Sequence, residues 1–133
     1  METIRLTTAQ AIVKWMLAQR TMIDGVEDCV FAGLFGIFGH GNVTCLAEAL
    51  EPVQEVLPTY RGHNEQSMAL AAMAYGKAMR GQRVMVASSS IGPGSTNMVT
   101  AAAAAHANRV PLMLFSGDTF QHRIVDPVLQ QVE

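Results

Sequence analysis

The sequence predicts an α/β fold, a three-layer sandwich whose mainly parallel sheet carries helices on both faces, and three observations support this. Short, mostly apolar runs without alternation occur at residues 34–38, 83–87 and 112–116, as expected of strands covered on both sides. Segments of ten or more residues with helical apolar spacing lie between them. Strands that alternate with helices are joined by right-handed crossovers between parallel neighbours. The 133 residues make one domain, long enough to bury roughly 68% of the surface its unfolded chain would expose.

The elements follow in order. Thr7-Thr8-Ala9-Gln10 is a capping-box pattern, so a helix starts there. Ala9, Ile12, Val13, Met16 and Leu17 share one stripe, and the pattern decays after Arg20 into the polar turn Asp24-Gly25. The run at 34–38 is closed by Gly39-His40-Gly41-Asn42, with Asn42 expected to cap a second helix that reaches about Leu50 and is stopped by Pro52. Thr59-Tyr60-Arg61 forms a brief strand, and Asn64 caps a long helix whose Met68, Ala71, Ala72, Tyr75 and Met79 share a face. Gly81 sits where a left-handed terminating residue is wanted. The strand at 83–87 leads into a Ser/Gly/Pro loop through Asn97, and an alanine-rich helix then runs to about Asn108. The last strand, 112–116, ends at Gly117-Asp118.

Composition removes several classes. Half the residues are hydrophobic, 15% are charged and the net charge is -2, with a pI near 6.0, which argues against disorder and against a polyanion-binding surface. No nucleic acid partner is expected. The longest apolar stretch, 30–39, is interrupted by glycines and falls well short of the ~20 residues that span a bilayer. No membrane segment is expected. An acid at position 2 and the lack of an apolar h-region do not fit a secretory signal, so the expected location is cytoplasmic. Cys29 and Cys45 have no CxxC spacing and read as reduced thiols, with no zinc site and no disulfide framework.

In a doubly wound sheet, ligands bind beyond the carboxyl ends of the strands, which directs attention to the loops after Phe38, Arg61, Ala87 and Ser116. The segment from Ser88 to Asn97 is a glycine-containing strand-to-helix turn, either an arrangement of free N–H groups facing an anion or ring nitrogen, or simply a tight turn with a capped helix. Its Gly-x-Gly-x-x-Asn spacing lacks the third glycine of a dinucleotide site, and no P-loop occurs. Glu65 falls in the first turn of a helix rich in Ala and Met. It either complements the helix dipole in solvent or, if desolvated, shares a proton near neutrality. His40, flanked by glycines, is either a general acid or base or an exposed loop histidine. His63, His106 and His122 lack partners at metal-ligand spacing, and Asp118 and Asp126 form no paired-acid pattern.

At these same loops the chain resembles the pyrimidine-binding (PYR) domain of thiamine diphosphate enzymes. Phe38-Gly39-His40-Gly41-Asn42 stands at the family's first glycine loop, Asn64-Glu65-Gln66-Ser67-Met68-Ala69 at its His-Glu-x-x-Ala helix start, and Gly92-Pro93-Gly94-Ser95-Thr96-Asn97 at its Gly-Pro-Gly-Ala-Thr-Asn turn. Pro111 to Asp118 resembles the family's closing strand. Asn64 departs from the usual histidine, and Ile91 extends the loop before Gly-Pro-Gly. The combination with Arg61-Gly62-His63 and the segment Asp126-Pro127-Val128-Leu129-Gln130-Gln131 is most similar to members that open a cyclic 1,2-diketone in inositol catabolism.

The resemblance implies that Glu65 hydrogen-bonds N1′ of the aminopyrimidine and favours its imino tautomer. Gly39, Pro93 and Asn97 would be cofactor contacts, and His40 a substrate-facing acid or base. It implies thiamine diphosphate as cofactor, with Mg²⁺ held by a diphosphate-binding domain of another subunit, and hence a homo-oligomer. No Gly-Asp-Gly…Asn diphosphate motif occurs in these 133 residues, so the chain is expected to be a fragment of a longer enzyme and inactive alone. Acetolactate synthase-like or decarboxylase-like chemistry, or a noncatalytic association module, are the alternatives.

Overall fold

The Thr7 capping box forms in the computed structural model, which describes residues 3–118 and 129–130. His122, Asp126 and most of the 126–131 segment lie outside the described residues. The Gln10 N–H donates to Thr7 Oγ1 at 3.2 Å and the Thr7 N–H donates to Gln10 Oε1 at 2.9 Å, starting helix α1, Thr8–Ala18. Ala9, Val13 and Met16 form its buried stripe. Thr7→Ala is expected to cost about 1 kcal/mol, read as a lower denaturation midpoint with an unchanged slope.

After α1 the chain forms a hairpin that the pattern reading takes as a turn alone. Strands β1 (Arg20–Ile23) and β2 (Val26–Cys29) pair antiparallel. Asp24 (φ 50°) and Gly25 (φ 83°) both take left-handed conformations, as a two-residue type I′ turn requires. Two ion pairs support it, Arg20 Nε to Glu27 Oε1 at 2.9 Å and Arg83 Nη1 to Asp28 Oδ2 at 2.8 Å. The second ties the hairpin to the residue that precedes the central strand.

The main sheet holds β3 (Phe31–Gly36), β4 (Thr59–Arg61), β5 (Val84–Ser89) and β6 (Met113–Ser116) in the order β4-β3-β5-β6, every neighbour parallel. This is the expected α/β sandwich. On β5, Val84 and Val86 pack toward α1 with Leu34, Leu46 and Leu50. Met85 and Ala87 pack on the other face with Ala69, Ala72, Met98 and Ala101. All six β5 residues are buried, which explains the unbroken apolar run from Val84 to Ala87. Strand β3 starts earlier than the 34–38 run suggests, and a register shift between Phe31 and Gly33 accommodates an extra residue as a bulge does.

Beyond β3, helix α2 (Gly39–Asn42) runs through a π-helical turn, Val43–Ala47, into α3 (Glu48–Leu50) and a 3₁₀ turn, Glu51–Val53. Asn42 is therefore not the N-cap. The helix begins three residues earlier, and the Asn42 amide instead donates to the Ser89 carbonyl at 3.2 Å. Pro52 sits inside the 3₁₀ turn, where a first-turn proline loses no helical hydrogen bond. Helix α4 (Glu65–Ala78) is capped by Asn64, whose Oδ1 accepts from the Ser67 N–H at 2.9 Å. Gly81 (φ 75°) closes it with a bond from its N–H to the Gly76 carbonyl at 2.8 Å. The 88–97 segment is not all loop: α5 (Pro93–Asn97) precedes α6 (Val99–Asn108), because Pro93 is preset for a first helical position.

Candidate functional site

The carboxyl ends of β3, β5 and β6 bring three loops together. Gly39 takes φ 68°, and a Cβ there would overlap the Ser90 side chain. Only glycine lets the 38–41 loop lie against the end of β5. Gly94, buried in the first turn of α5, also lies against Ser90. A Cβ on Gly94 would lie 2.6 Å from Ser90 Oγ and 3.1 Å from Glu65 Oε1. Glu65, at the first position of α4, thus meets the Gly-Pro-Gly turn directly.

Asn97, the last residue of α5, donates from Nδ2 to Glu65 Oε2 at 3.0 Å. The carboxyl group is half-buried, and its Oε1 accepts no hydrogen bond among the described residues. The carboxylate opens a 14-residue helix, where negative charge is favoured, and a side-chain amide from a different element also orients it. The structure places Gly39 and Glu65 beside the 88–97 segment, which carries Asn97. Pro93 is exposed at the start of α5, and His40 is exposed in the first turn of α2.

Sequence reasoning missed Gly94 and Ser95. The second glycine of Gly-Pro-Gly was the available signal for the first. Nothing in the sequence marks the second. Ser95 Oγ donates to the Ser90 carbonyl at 2.6 Å and lies 2.5 Å from Ser116 Oγ. Either hydroxyl can be the donor in that pair, because Ser116 Oγ also reaches the Gly117 carbonyl at 2.9 Å. The contact fastens the turn that carries Asn97 to the end of β6.

Two clefts open beside this junction. One of about 390 Å³ is lined by Phe38, His40, Asn42, Ser90, Ile91 and Asp118, among others. The other, about 440 Å³, lies over β3 and β4 and includes Gly36, Val43, Thr59 and Arg61. Phe38 and His40 line both, so they form the wall between them. Among the described residues no group of three or more His, Cys, Asp or Glu could hold a metal ion, and no helix is long and apolar enough to cross a membrane.

Residues 16–132 match the family described as thiamine pyrophosphate enzyme, N-terminal TPP binding domain. Across all 133 residues the chain is 50% identical to a 3D-(3,5/4)-trihydroxycyclohexane-1,2-dione hydrolase of Bacillus thuringiensis (strain Al Hakam). It is 51% identical to the protein of that name from Clostridium tetani (strain Massachusetts / E88). The chain spans about a fifth of these relatives, 21% of each. The family match takes in every strand of the main sheet and the three loops that meet at Ser90, and on that ground the chain belongs to the thiamine pyrophosphate enzymes as an N-terminal TPP-binding domain.

Proposed function

We propose that this domain works within a longer cytoplasmic polypeptide that hydrolyses a C–C bond of a cyclic 1,2-diketone in inositol catabolism. The observation that carries the reading is the Glu65 carboxyl, oriented by Asn97 and set against Gly94, in a chain half identical to dione hydrolases. The residues fit the cofactor: a Cβ at Gly94 would crowd Glu65 Oε1, and its absence leaves that oxygen accessible. When bound, thiamine diphosphate supplies the carbon nucleophile and the electron sink for C–C cleavage.

The chain's own part is positional and acid–base. Glu65 holds a proton at N1′ of the aminopyrimidine. Asn97 occupies Oε2, so Oε1 is the oxygen left for that proton. Gly39 and Pro93 contribute backbone and ring contacts on the pyrimidine side. His40, on the wall between the clefts, serves as acid or base toward the substrate. Mg²⁺ and the diphosphate belong to a separate domain of another subunit, which makes the enzyme a homo-oligomer.

The test is reconstitution of the full-length protein with thiamine diphosphate and Mg²⁺. Cofactor-dependent opening of trihydroxycyclohexane-1,2-dione is expected, with little acetolactate formed from pyruvate. Efficient use of pyruvate and none of the dione would replace this reading with a synthase-like or decarboxylase-like one.

A further inference from the structure

The second cleft has a chemistry that Glu65 does not use. Strand register sets Gly36 of β3 opposite Arg61 of β4, and Leu34 opposite Thr59. The Tyr60 ring packs on Phe35, with centroids 5.6 Å apart, on one face of the sheet. Alternation sends Thr59 and Arg61 to the other face. Gly36 leaves that face open, and Phe38 folds over the gap: a Cβ on Gly36 would meet Phe38 Cζ at 2.7 Å. The result is an apolar floor of Phe38, Ile37 and Val43 with a guanidinium, a hydroxyl and an imidazole at its edge.

Three features of this edge point to an anion with adjoining hydroxyls. Arg61 is exposed and makes no ion pair among the described residues. No acidic side chain lines the cleft. Thr59 lines the cleft, and its Oγ1 is closed off without a hydrogen-bond partner, a costly state that rotation of the side chain toward a bound ligand would relieve. A guanidinium matches a carboxylate through two parallel bonds, and the apolar floor suits the C–H face of a polyol chain.

Resting on the function proposed above, we infer that this cleft receives the carboxylate of the ring-opened hydroxy acid. Hydrolysis of the bond between adjacent carbonyl carbons puts the OH of water on one carbon and its H on the other. The product is one open chain with an acid at one end and an aldehyde at the other, and no redox partner is needed. The cyclic substrate lacks a carboxyl group, and the acid ionises at neutral pH. The negative charge therefore exists only after ring opening. Arg61 recognises product over substrate.

Calorimetry on the full-length protein with D-glucuronate, myo-inositol and inorganic phosphate tests this without turnover. Glucuronate is expected to bind, with affinity lowered about tenfold or more by Arg61→Gln and about threefold by Thr59→Val. Neither substitution is expected to lower the melting temperature, and removing the unpartnered hydroxyl in Thr59→Val should raise it. Inositol and phosphate are expected to bind weakly or not at all. Unchanged glucuronate affinity in Arg61→Gln, or no binding by the wild type, overturns the assignment. So does equal binding of inositol, which would make charge irrelevant, or of phosphate, which would make the site a general anion trap. A glucuronate site lost in Arg61→Gln, in a protein that thiamine diphosphate does not activate, would keep the carboxylate site and remove only the dione reading.

Discussion

Glu65→Gln in the full-length enzyme is expected to lower the turnover supported by saturating thiamine diphosphate by about 10²–10⁴-fold, the range for loss of a positioned acid–base group. Glutamine keeps the shape of the side chain, and its carbonyl can still accept from Asn97 Nδ2, 3.0 Å from Glu65 Oε2 in the parent. What it loses is a carboxylate able to take and return a proton. The competing role of Glu65, a charge at the first turn of α4, is worth about 0.3–1 kcal/mol of stability and has no route to turnover. The two roles therefore separate by readout: one moves kcat by orders of magnitude, the other moves only the unfolding midpoint. Full activation of the variant by cofactor would remove Glu65 from the chemistry, whatever happened to stability.

The reason Glu65 was visible in the sequence is local. Asn64 caps α4 and fixes where the helix begins, so the first-turn position of Glu65 follows from neighbours in the chain. The Thr7 capping box and the Gly81 terminus were legible on the same basis, as were the apolar runs of β5 and β6, although only β5 is buried throughout. What could not be read is set by contacts distant in sequence. Asn42 looks like a cap because Asn residues near helix starts usually are. Its amide instead bonds Ser89, 47 positions away. The β1–β2 hairpin has four-residue strands, and both Met22 and Val26 are exposed, so the pattern of buried and exposed positions that marks a strand is faint. The Asp24-Gly25 turn was recognised, but its strands were not. In the 88–97 segment, glycine and proline suggest loop, yet Pro93 opens a helix and Gly94 takes part in it because Ser90 and Glu65 leave no space for a side chain. The bond from Asn97 to Glu65 joins residues 32 apart, and no periodicity encodes it.

Gly94→Ala separates the requirement of the turn from that of the glutamate. Gly94 lies in α5, so the added methyl gains about 1 kcal/mol of helix propensity, against about 1–3 kcal/mol for overpacking. Stability is thus expected to fall by no more than about 2 kcal/mol. Activity is expected to fall about 10²-fold, because the methyl would stand 3.1 Å from Glu65 Oε1 and 2.6 Å from Ser90 Oγ, and sub-ångström to 1 Å displacement of a positioned group has that order of cost. Gly39 also lies against the Ser90 side chain, which limits how far it can shift. Part of the strain passes to the carboxylate, the next atom in reach. Ser90→Ala deletes the nearer obstacle while leaving Glu65 and Asn97 in place, so the double variant Ser90→Ala/Gly94→Ala is expected to regain part of the lost kcat. Such a coupling would show that the two sites share one steric constraint. If Gly94→Ala retains wild-type kcat, the close approach of the turn to Glu65 is packing alone, and the Asn97 bond is then left to orient the carboxyl by itself.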